Sequence, residues 1–232
     1  MGTSYLERRG QIENYFDRTA ADAWARLTSD APVSRIRATV RAGRDRMRNT
    51  LLEWLPEDMT GLRLLDAGCG TGALAVAAAE RGADVLAIDL SPTLVGLARE
   101  RVPSRIGGGR IEFAVGDMSD PALGDFDYMV AMDSLIHYRA GDVVALLSGL
   151  APRTRRGMLF TFAPSTPALA LMHAVGRLFP RGNRAPAIEP VREHALHCQL
   201  SRHPGLGEWR IGRNRLVSAG FYISQAQELV HG

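Results

Sequence analysis

The chain has 232 residues, 46% of them hydrophobic and 23% charged, a composition close to that of an average globular domain. This length suits one domain with an added arm or lid, and the composition excludes a collagen, a coiled coil or a largely disordered chain. The formal net charge is +3, and the densest run of arginines, residues 35–48, has no interleaved aromatic residues, so we expect no nucleic-acid partner.

The first 55 residues carry apolar side chains at helical spacing. The pattern predicts one helix over residues 11–28, with a break near Arg18, and a second over residues 33–55, which Pro56 ends. We expect residues 1–55 to form a helical arm or cap and residues 56–232 to form the main domain.

Strand-like and helix-like runs alternate from residue 62 to residue 163. The predicted strands are 62–67, 84–89, 111–115, 128–132 and 158–163, and the helices between them are 73–81, 92–101 and 140–151. This alternation predicts an α/β fold with a parallel sheet and helices on both faces. Residues 209–230 then show two strand-like runs joined by Ser218-Ala219-Gly220, which predicts an antiparallel hairpin. Five parallel strands with a final hairpin resemble the Rossmann-like sheet of class I methyltransferases.

Residues 164–208 form an insert that such a sheet does not require, and we expect it to act as a lid on the substrate side. Its residues 167–179 carry apolar side chains along one helical side, which fits either a core helix or a hydrophobic cover. A later polar segment, predicted to be a loop, contains His194, His197, Cys198 and His203. Their spacing matches no standard zinc site, so we expect no protein-bound metal.

The sharpest motif is Asp66-Ala67-Gly68-Cys69-Gly70-Thr71-Gly72, where the first predicted strand runs into a helix. Gly68 and Gly70 let the backbone turn sharply and let a ligand approach closely. Asp66 would repel a pyrophosphate but attract the ammonium group of S-adenosylmethionine (SAM), whereas Asp89, which ends the second strand, suits the ribose of either cofactor. We therefore expect SAM. A dinucleotide, whose G-x-G-x-x-A fingerprint the spacing also fits, and a purely structural turn are the alternatives.

The ends of the strands supply the other candidate residues. Asp117 and Met118 follow the third strand, where a carboxylate beside an apolar residue suits the adenine ring. We expect Leu90 and Met132 to complete the cofactor contacts. After Met132 the chain leaves the sheet at its carboxyl end, so His137 lies on a loop that faces the reacting methyl group. His137 then either touches the substrate or serves only as a hydrogen-bonding residue of the loop.

Several segments, in chain order, resemble the magnesium-protoporphyrin IX O-methyltransferases of chlorophyll and bacteriochlorophyll synthesis. They are Tyr15-Phe16-Asp17-Arg18-Thr19 with Trp24, Leu65–Gly72, Gly116-Asp117-Met118, Asp133–Tyr138 and Gly220–Ser224. The glycine motif is common to many methyltransferases, whereas the first, fourth and fifth segments are specific to this family. Residues 164–208 cannot be matched to the family residue by residue.

The resemblance implies methyl transfer from SAM to the ring C propionate of magnesium protoporphyrin IX, giving the monomethyl ester. A propionate is already ionised at neutral pH, because carboxylic acids titrate near pH ~4, so positioning rather than a strong base is the main requirement. On this interpretation His137 orients the carboxylate and Tyr15 helps to close the site as the second catalytic residue. The substrate contacts would come from Phe16, Trp24, Tyr138, Met172 and Phe179.

Two other functions stay open: a methyltransferase for another small hydrophobic acid or a quinone-like substrate, and a non-catalytic porphyrin carrier with the same fold. A further alternative is that His173, His194 or His197 binds axially to the magnesium of the porphyrin. The resemblance also leaves open a magnesium chelatase subunit as a partner. Two cysteines, a charged N-terminus and the lack of a long apolar run predict a cytoplasmic protein, with a peripheral contact to the photosynthetic or inner membrane as an option.

Overall fold

The computed structural model describes residues 3–18, 28, 34–165 and 188–232. In chain order its helices are α1 (Thr3–Arg18), α2 (Arg35–Trp54), α3 (Ala73–Glu80), α4 (Pro92–Arg101), α5 (Ala140–Leu150) and α6 (Glu193–Arg202). Its strands are β1 (Arg63–Ala67), β2 (Asp84–Asp89), β3 (Arg110–Val115), β4 (Phe126–Ala131), β5 (Thr154–Phe162), β6 (Trp209–Ala219) and β7 (Tyr222–His231). Short 3₁₀ turns cover Pro121–Leu123, Leu135–His137, Ala151–Arg153 and Pro204–Leu206.

The strands of the described ranges form one sheet in the order β3-β2-β1-β4-β5-β7-β6. The first five are parallel to their neighbours, and β7 and β6 complete the sheet as antiparallel strands. The order reverses between β1 and β4, and ligands of open α/β sheets bind outside the carboxyl ends of the strands at such a point. The predicted α/β fold, with five parallel strands and a C-terminal hairpin, is confirmed.

Successive residues of the central strands point to opposite faces of the sheet, so the core has two layers. Leu64 belongs to the layer that contains Met47 of α2 and residues of α3, whereas Leu65 belongs to the layer that contains residues of α5 and α6. Tyr5 and Ile12 of α1 join the second layer. The two helices of the predicted arm therefore cover different faces of the sheet.

Local sequence signals explain where the helices begin. Ser91 accepts a hydrogen bond from the N–H of Leu94 at 3.2 Å, and Pro92 occupies the first turn of α4, where a missing N–H costs nothing. The cap of α3 is Gly72, whose φ of +79° is left-handed and suits glycine. The turn after β1 thus leads directly into a helix N-terminus, as the glycine motif predicts.

Two predictions of secondary structure differ from the structure by more than four residues, whereas the other elements differ only at their ends, as where β6 continues through Ala219 into the predicted hairpin turn. The first helix begins at Thr3 rather than at residue 11, because Tyr5 and Ile12, two turns apart, are both buried along it. The loop predicted around the histidines is wrong, since residues 193–202 form α6, with Leu196 and Leu200 buried one turn apart. Residues 19–27 and 166–187, which hold parts of the predicted first helix and of the insert, lie outside the described residues.

Candidate active site

A cavity of about 330 Å³ opens at the carboxyl ends of β1, β2 and β4, where the strand order reverses. Its wall is built from the glycine turn after β1, the ends of β2 and β3, the loop after β4, and side chains of α1 and α2. The predicted cofactor residues that line it are Asp66, Gly68, Gly70, Asp89, Leu90, Met118 and Met132. The predicted catalytic and substrate residues that line it are Phe16, His137 and Tyr138. Most of the candidate residues therefore meet in one space.

The glycine turn has a backbone that other residues adopt only with strain. Gly68, Gly70 and Gly72 have φ angles of +82°, +54° and +79°. A Cβ on Gly68 would lie 2.3 Å from the Cβ of Ser134, in the loop after β4. The N–H of Gly68 donates to the carbonyl oxygen of Ile88 at 2.8 Å. The turn is thus tied to β2 on one side and packed against the loop after β4 on the other.

Two carboxylates stand beside the turn. Asp66 is buried, and its Oδ2 atom has no hydrogen-bond partner within the described part of the chain. Burial and, second, the charge of Asp89 raise the pKa of Asp66 to about 7. Asp89 accepts hydrogen bonds from the N–H of Gly70 at 2.8 Å and of Ser91 at 3.0 Å, while burial raises its pKa. Because an unpaired buried oxygen is costly, Asp66 is arranged to receive a cationic or hydrogen-bond-donating ligand.

Asp117 is the predicted cofactor residue that the structure does not bring to the cavity wall. Its carboxylate accepts hydrogen bonds from the Tyr5 hydroxyl at 2.7 Å and from the N–H of Ser119 at 2.8 Å. It also lies 3.3 Å from the guanidinium of Arg9. These contacts hold α1 against the end of β3, whereas the neighbouring Met118 lines the cavity. The contact of Asp117 with adenine stays a prediction.

His137 lies in the 3₁₀ turn after β4 and is covered by α1. Its side chain is buried, and its ring centroid lies 6.1 Å from that of Phe16, edge to face. Tyr138 is also buried, and its ring stacks on that of Tyr5 with the ring centroids 5.0 Å apart. The ring centroids of Tyr15 and Phe16 lie 5.2 Å apart, and within the described part of the chain Tyr15 is not among the residues that line the cavity, so its catalytic role stays a prediction. Burial raises the pKa of Tyr15 and of Tyr138, so both hydroxyls stay protonated at neutral pH.

Polar contacts along α1 fasten this cover to the rest of the molecule. Arg8 forms an ion pair with Glu189, and Asp17 accepts a hydrogen bond from the Thr93 hydroxyl at 2.6 Å. Exposed or half-exposed contacts of this kind typically contribute only ~0–1 kcal/mol each. The cover is thus held chiefly by the few apolar side chains of α1 that reach the core.

Sequence reasoning missed a buried polar cluster beside the cavity. Asp133 accepts hydrogen bonds from Arg44 at 2.6 Å, from the Tyr222 hydroxyl at 2.9 Å and from the Ser224 hydroxyl at 3.3 Å. Its own N–H donates to the hydroxyl of Thr161 at 2.7 Å. Among the described residues Asp133 is the single non-glycine residue with a positive φ, +54°, a conformation that aspartate tolerates better than most side chains. The cluster therefore fixes the start of the loop that carries His137.

Several predicted residues cannot be compared with the structure or lie away from the cavity. Trp24, Met172, Phe179 and His173 are outside the described residues, so their substrate contacts stay predictions. The other two histidines proposed for the porphyrin magnesium, on α6, do not line the cavity. Within the described ranges no three or more His, Cys, Asp or Glu residues are grouped as a metal site requires. No helix in those ranges is both long and apolar enough to cross a membrane.

Comparison with known proteins identifies the relatives of this chain. Residues 131–231 match the family described as "Magnesium-protoporphyrin IX methyltransferase C-terminus", and residues 64–157 match a general methyltransferase domain. Magnesium-protoporphyrin O-methyltransferase from Rhodobacter capsulatus is 52% identical over 98% of this chain and 99% of its own length. The chain belongs to the magnesium-protoporphyrin IX methyltransferase family. The resemblance noted in the sequence is confirmed.

Crystal structures of a more distant member of the family share the whole fold. Magnesium protoporphyrin IX methyltransferase from Synechocystis PCC 6803 with bound S-adenosylhomocysteine (SAH) has a TM-score of 0.83 at 29% identity, covering 95% of this chain and 98% of that chain. The same enzyme with bound SAM has a TM-score of 0.81 at 26% identity and covers 100% of both chains. By contrast, a ubiquinone biosynthesis O-methyltransferase from Xanthomonas euvesicatoria is 34% identical over only 54% of this chain and 55% of its own length.

Some of the missed residues lie in segments by which the sequence resembles the magnesium-protoporphyrin IX methyltransferase family. Asp133 begins one such segment and Tyr222 lies in another, so two of these segments meet at one carboxylate. Arg41, Arg44 and Arg48 of α2 also line the cavity, although the sequence shows them only as part of a basic run. Their spacing of three and four residues, which places them on one helical face, is the signal that could have found them.

Proposed function

We propose that this protein transfers the methyl group of SAM to the ring C propionate of magnesium protoporphyrin IX, giving the monomethyl ester in chlorophyll or bacteriochlorophyll synthesis. The observation that carries the proposal is the 52% identity to the Rhodobacter capsulatus magnesium-protoporphyrin O-methyltransferase over nearly the full length of both chains. The family match over residues 131–231 and the cavity at the carboxyl ends of the strands support the same activity.

The residues of the cavity fit SAM. Asp66 offers the cationic methionyl group a buried oxygen that has no hydrogen-bond partner among the described residues, and Gly68 offers a close approach without a Cβ atom. Asp89 would accept the ribose hydroxyls, and Leu90 and Met118 would supply apolar contacts to the adenine. When bound, SAM supplies an electrophilic methyl group.

The remaining residues of the cavity position the substrate and exclude water. A propionate needs no proton removed, since carboxylic acids titrate near pH ~4. His137 would donate a hydrogen bond to this carboxylate and hold one of its oxygens in line with the methyl group. Phe16 and Tyr138 would cover the reacting groups and keep water out. Tyr138 and Tyr15, both with a raised pKa, are not suited to act as bases at neutral pH.

The test is transfer of labelled methyl from SAM to magnesium protoporphyrin IX, with the product separated as mono- or diester. We expect label in a single monoester. Magnesium protoporphyrin IX dimethyl ester, which has no free propionate, is the matched control and should receive no label. Transfer to another hydrophobic acid or to a quinone-like substrate, without transfer to the porphyrin, would favour the alternative enzyme. Porphyrin binding without any transfer would favour the carrier.

We also propose, from the family resemblance, that a magnesium chelatase subunit delivers the substrate and that the protein contacts the photosynthetic or inner membrane peripherally. The apolar pattern of residues 167–179 supports a membrane contact. Co-sedimentation of the full chain with anionic vesicles, and in separate tubes with the chelatase subunit immobilised on beads, tests the two contacts independently. Recovery of the chain in the supernatant in both cases would contradict them.

SAM binding is expected to tighten as the pH rises through about 7. The pKa of Asp66 is raised to about 7, and only its ionised form attracts a cation. Below that pH the ligand must displace one proton, so the affinity should fall by up to about tenfold per pH unit. Calorimetric titration between pH 5.5 and 8.5 measures this, and Asp66→Asn should give a weak, flat profile. Equal profiles for both proteins would contradict the role of Asp66.

Removal of residues 1–28 is expected to leave a folded protein that binds SAM but has lost most turnover, by about 10²-fold or more, because the cover over His137 is gone. The glycine turn, Asp66 and Asp89 all lie on the retained sheet. The matched control is Tyr5→Phe, which removes only the hydrogen bond to Asp117 and keeps the stack on Tyr138. Single-turnover rates and SAM titrations check both variants. A folded truncated protein with the wild-type rate would show that α1 is only structural.

A further inference from the structure

The loop after β4 is anchored by a carboxylate near its start. Asp133 is the second residue after the strand, and its side chain is only 5% exposed. At 2.6, 2.9, 3.3 and 3.3 Å its carboxylate accepts hydrogen bonds from Arg44, Tyr222, Ser224 and Thr161. A carboxylate has about four acceptor sites, so the protein itself engages this one, although the residue lines the cavity. Three elements, α2, β5 and β7, therefore hold one residue of the loop.

The backbone of Asp133 is fixed as well. Its φ of +54° is left-handed, a conformation that residues other than glycine adopt only at a cost in energy. Its N–H donates to the Thr161 hydroxyl at 2.7 Å, so the main chain and the side chain of Asp133 contact the same residue of β5. Strained residues of this kind persist only where their surroundings hold them, and they cluster at functional sites. The strain therefore points to a use for this exact loop geometry.

The next residue of the loop is tied to the glycine turn. The Ser134 hydroxyl donates to the carbonyl oxygen of Ala67 at 2.7 Å, and Ala67 is the last residue of β1, directly before Gly68. The Cβ of Ser134 also fills the space that a Cβ on Gly68 would need. Ser134 then caps the 3₁₀ turn that ends at His137. The glycine turn and the histidine are therefore joined by one short, anchored piece of chain.

We infer that Asp133 is a positioning residue for the methyl transfer, which fixes His137 relative to the glycine turn. The inference rests on the proposed function, under which His137 orients the acceptor carboxylate. In-line transfer needs the acceptor oxygen, the methyl carbon and the sulfur in one line, and a misplacement of about 1 Å can cost about 10²-fold in rate. Because protein donors engage the Asp133 carboxylate, the loop has its position before any ligand binds.

The experiment is a double-mutant cycle between Asp133 and His137. Asp133→Asn keeps the size of the side chain and the tolerance for a left-handed backbone, but it removes the charge that faces Arg44. Its kcat is measured at saturating SAM, alone and in the His137→Ala background. Asp127→Asn is the matched control, because Asp127 is a buried carboxylate at the amino end of the same strand, 3.2 Å from the guanidinium of Arg156. Asp127 is not among the described residues that line this cavity.

We expect Asp133→Asn to lower kcat by about tenfold or more while the affinity for SAM stays within about threefold of the wild type. In the His137→Ala background the same substitution should change kcat by less than about twofold, because the histidine that it positions is gone. An equal loss in both backgrounds, a wild-type kcat in folded Asp133→Asn, or an equal loss in Asp127→Asn overturns the inference. Tyr222→Phe, which removes one donor to the carboxylate from outside the cavity wall, replaces Asp133→Asn if that variant unfolds.

A second readout needs no turnover. In protein made with isotope-labelled histidine and saturated with SAH, the ring signals of His137 are identified in nuclear magnetic resonance spectra by their loss in His137→Ala. We expect Asp133→Asn to shift or broaden these signals and Asp127→Asn to leave them in place, and unchanged signals in folded Asp133→Asn overturn the inference. Failure to methylate the porphyrin would remove the proposed function while these signals still decided the positioning. Normal methylation with additive kinetics in the cycle would leave the function in place and remove the inference.

Discussion

Replacing Gly68 with valine is expected to abolish SAM binding, with an affinity loss of at least about 10²-fold, or about 2.7 kcal/mol. At a φ of +82° a β-branched residue is strained, typically by about 1–3 kcal/mol. Its Cβ would also lie 2.3 Å from that of Ser134, so either the turn or the loop after β4 must move. Both belong to the wall that would hold the methionyl part of SAM. Calorimetric titration with SAM measures the loss.

Gly61→Val is the matched control for this prediction. Gly61 has a φ of +75°, close to that of Gly68, but a Cβ there meets no atom within 4 Å. The control variant therefore carries comparable backbone strain without the collision, and Gly61 does not line the cavity. We expect it to lose stability in thermal unfolding yet to keep its SAM affinity. A folded Gly68→Val protein that binds SAM as tightly as Gly61→Val would show that the turn is not the cofactor site.

The sheet could be predicted from the sequence because each strand carries its own local signal. Buried strands such as residues 84–89 are short apolar runs bounded by turns, and Ser91-Pro92 marks a helix start by itself. The helix α6 gave no such signal, since Leu196 and Leu200 are its buried apolar residues in an otherwise polar segment. Their burial depends on contact with a distant part of the chain, which periodicity cannot show.

The difference between local signals and contacts with distant parts of the chain also explains which candidate site residues could be predicted. Asp66, Gly68 and Asp89 follow from the rule that ligands bind at the carboxyl ends of parallel strands. The pairing of Asp133 with Arg44 joins residues 89 positions apart and depends on which face of α2 meets the sheet. Asp117 follows the expected third strand, but nothing in the sequence indicates that the Tyr5 hydroxyl of α1 would donate a hydrogen bond to its carboxylate. Position at a strand end was predictable, whereas the partner of each side chain was not.

His137→Ala is expected to lower kcat by about 10²–10³-fold, because a misplaced carboxylate is costly but no obligatory proton transfer disappears. SAM affinity should stay near that of the wild type, since Asp66, Gly68 and Asp89 are unchanged. His231→Ala is the matched control, as His231 ends β7, does not line the cavity and is not one of the histidines considered for the porphyrin magnesium. Steady-state kinetics at saturating SAM, with a SAM titration of each protein, check both variants.

The pH dependence of kcat decides how His137 acts. A neutral imidazole that donates through one ring nitrogen gives a flat profile from pH 7 to 9, whereas a protonated donor loses activity above the ordinary imidazole value near ~6.5. We expect the flat profile, because the ring is enclosed between Phe16 and the loop, where an uncharged group is more easily accommodated. His137→Gln, which keeps a neutral amide donor, should then recover part of the activity that His137→Ala loses. A limb that rises between pH 6 and 7 at saturating SAM, and that disappears in His137→Ala, would instead assign His137 as a general base.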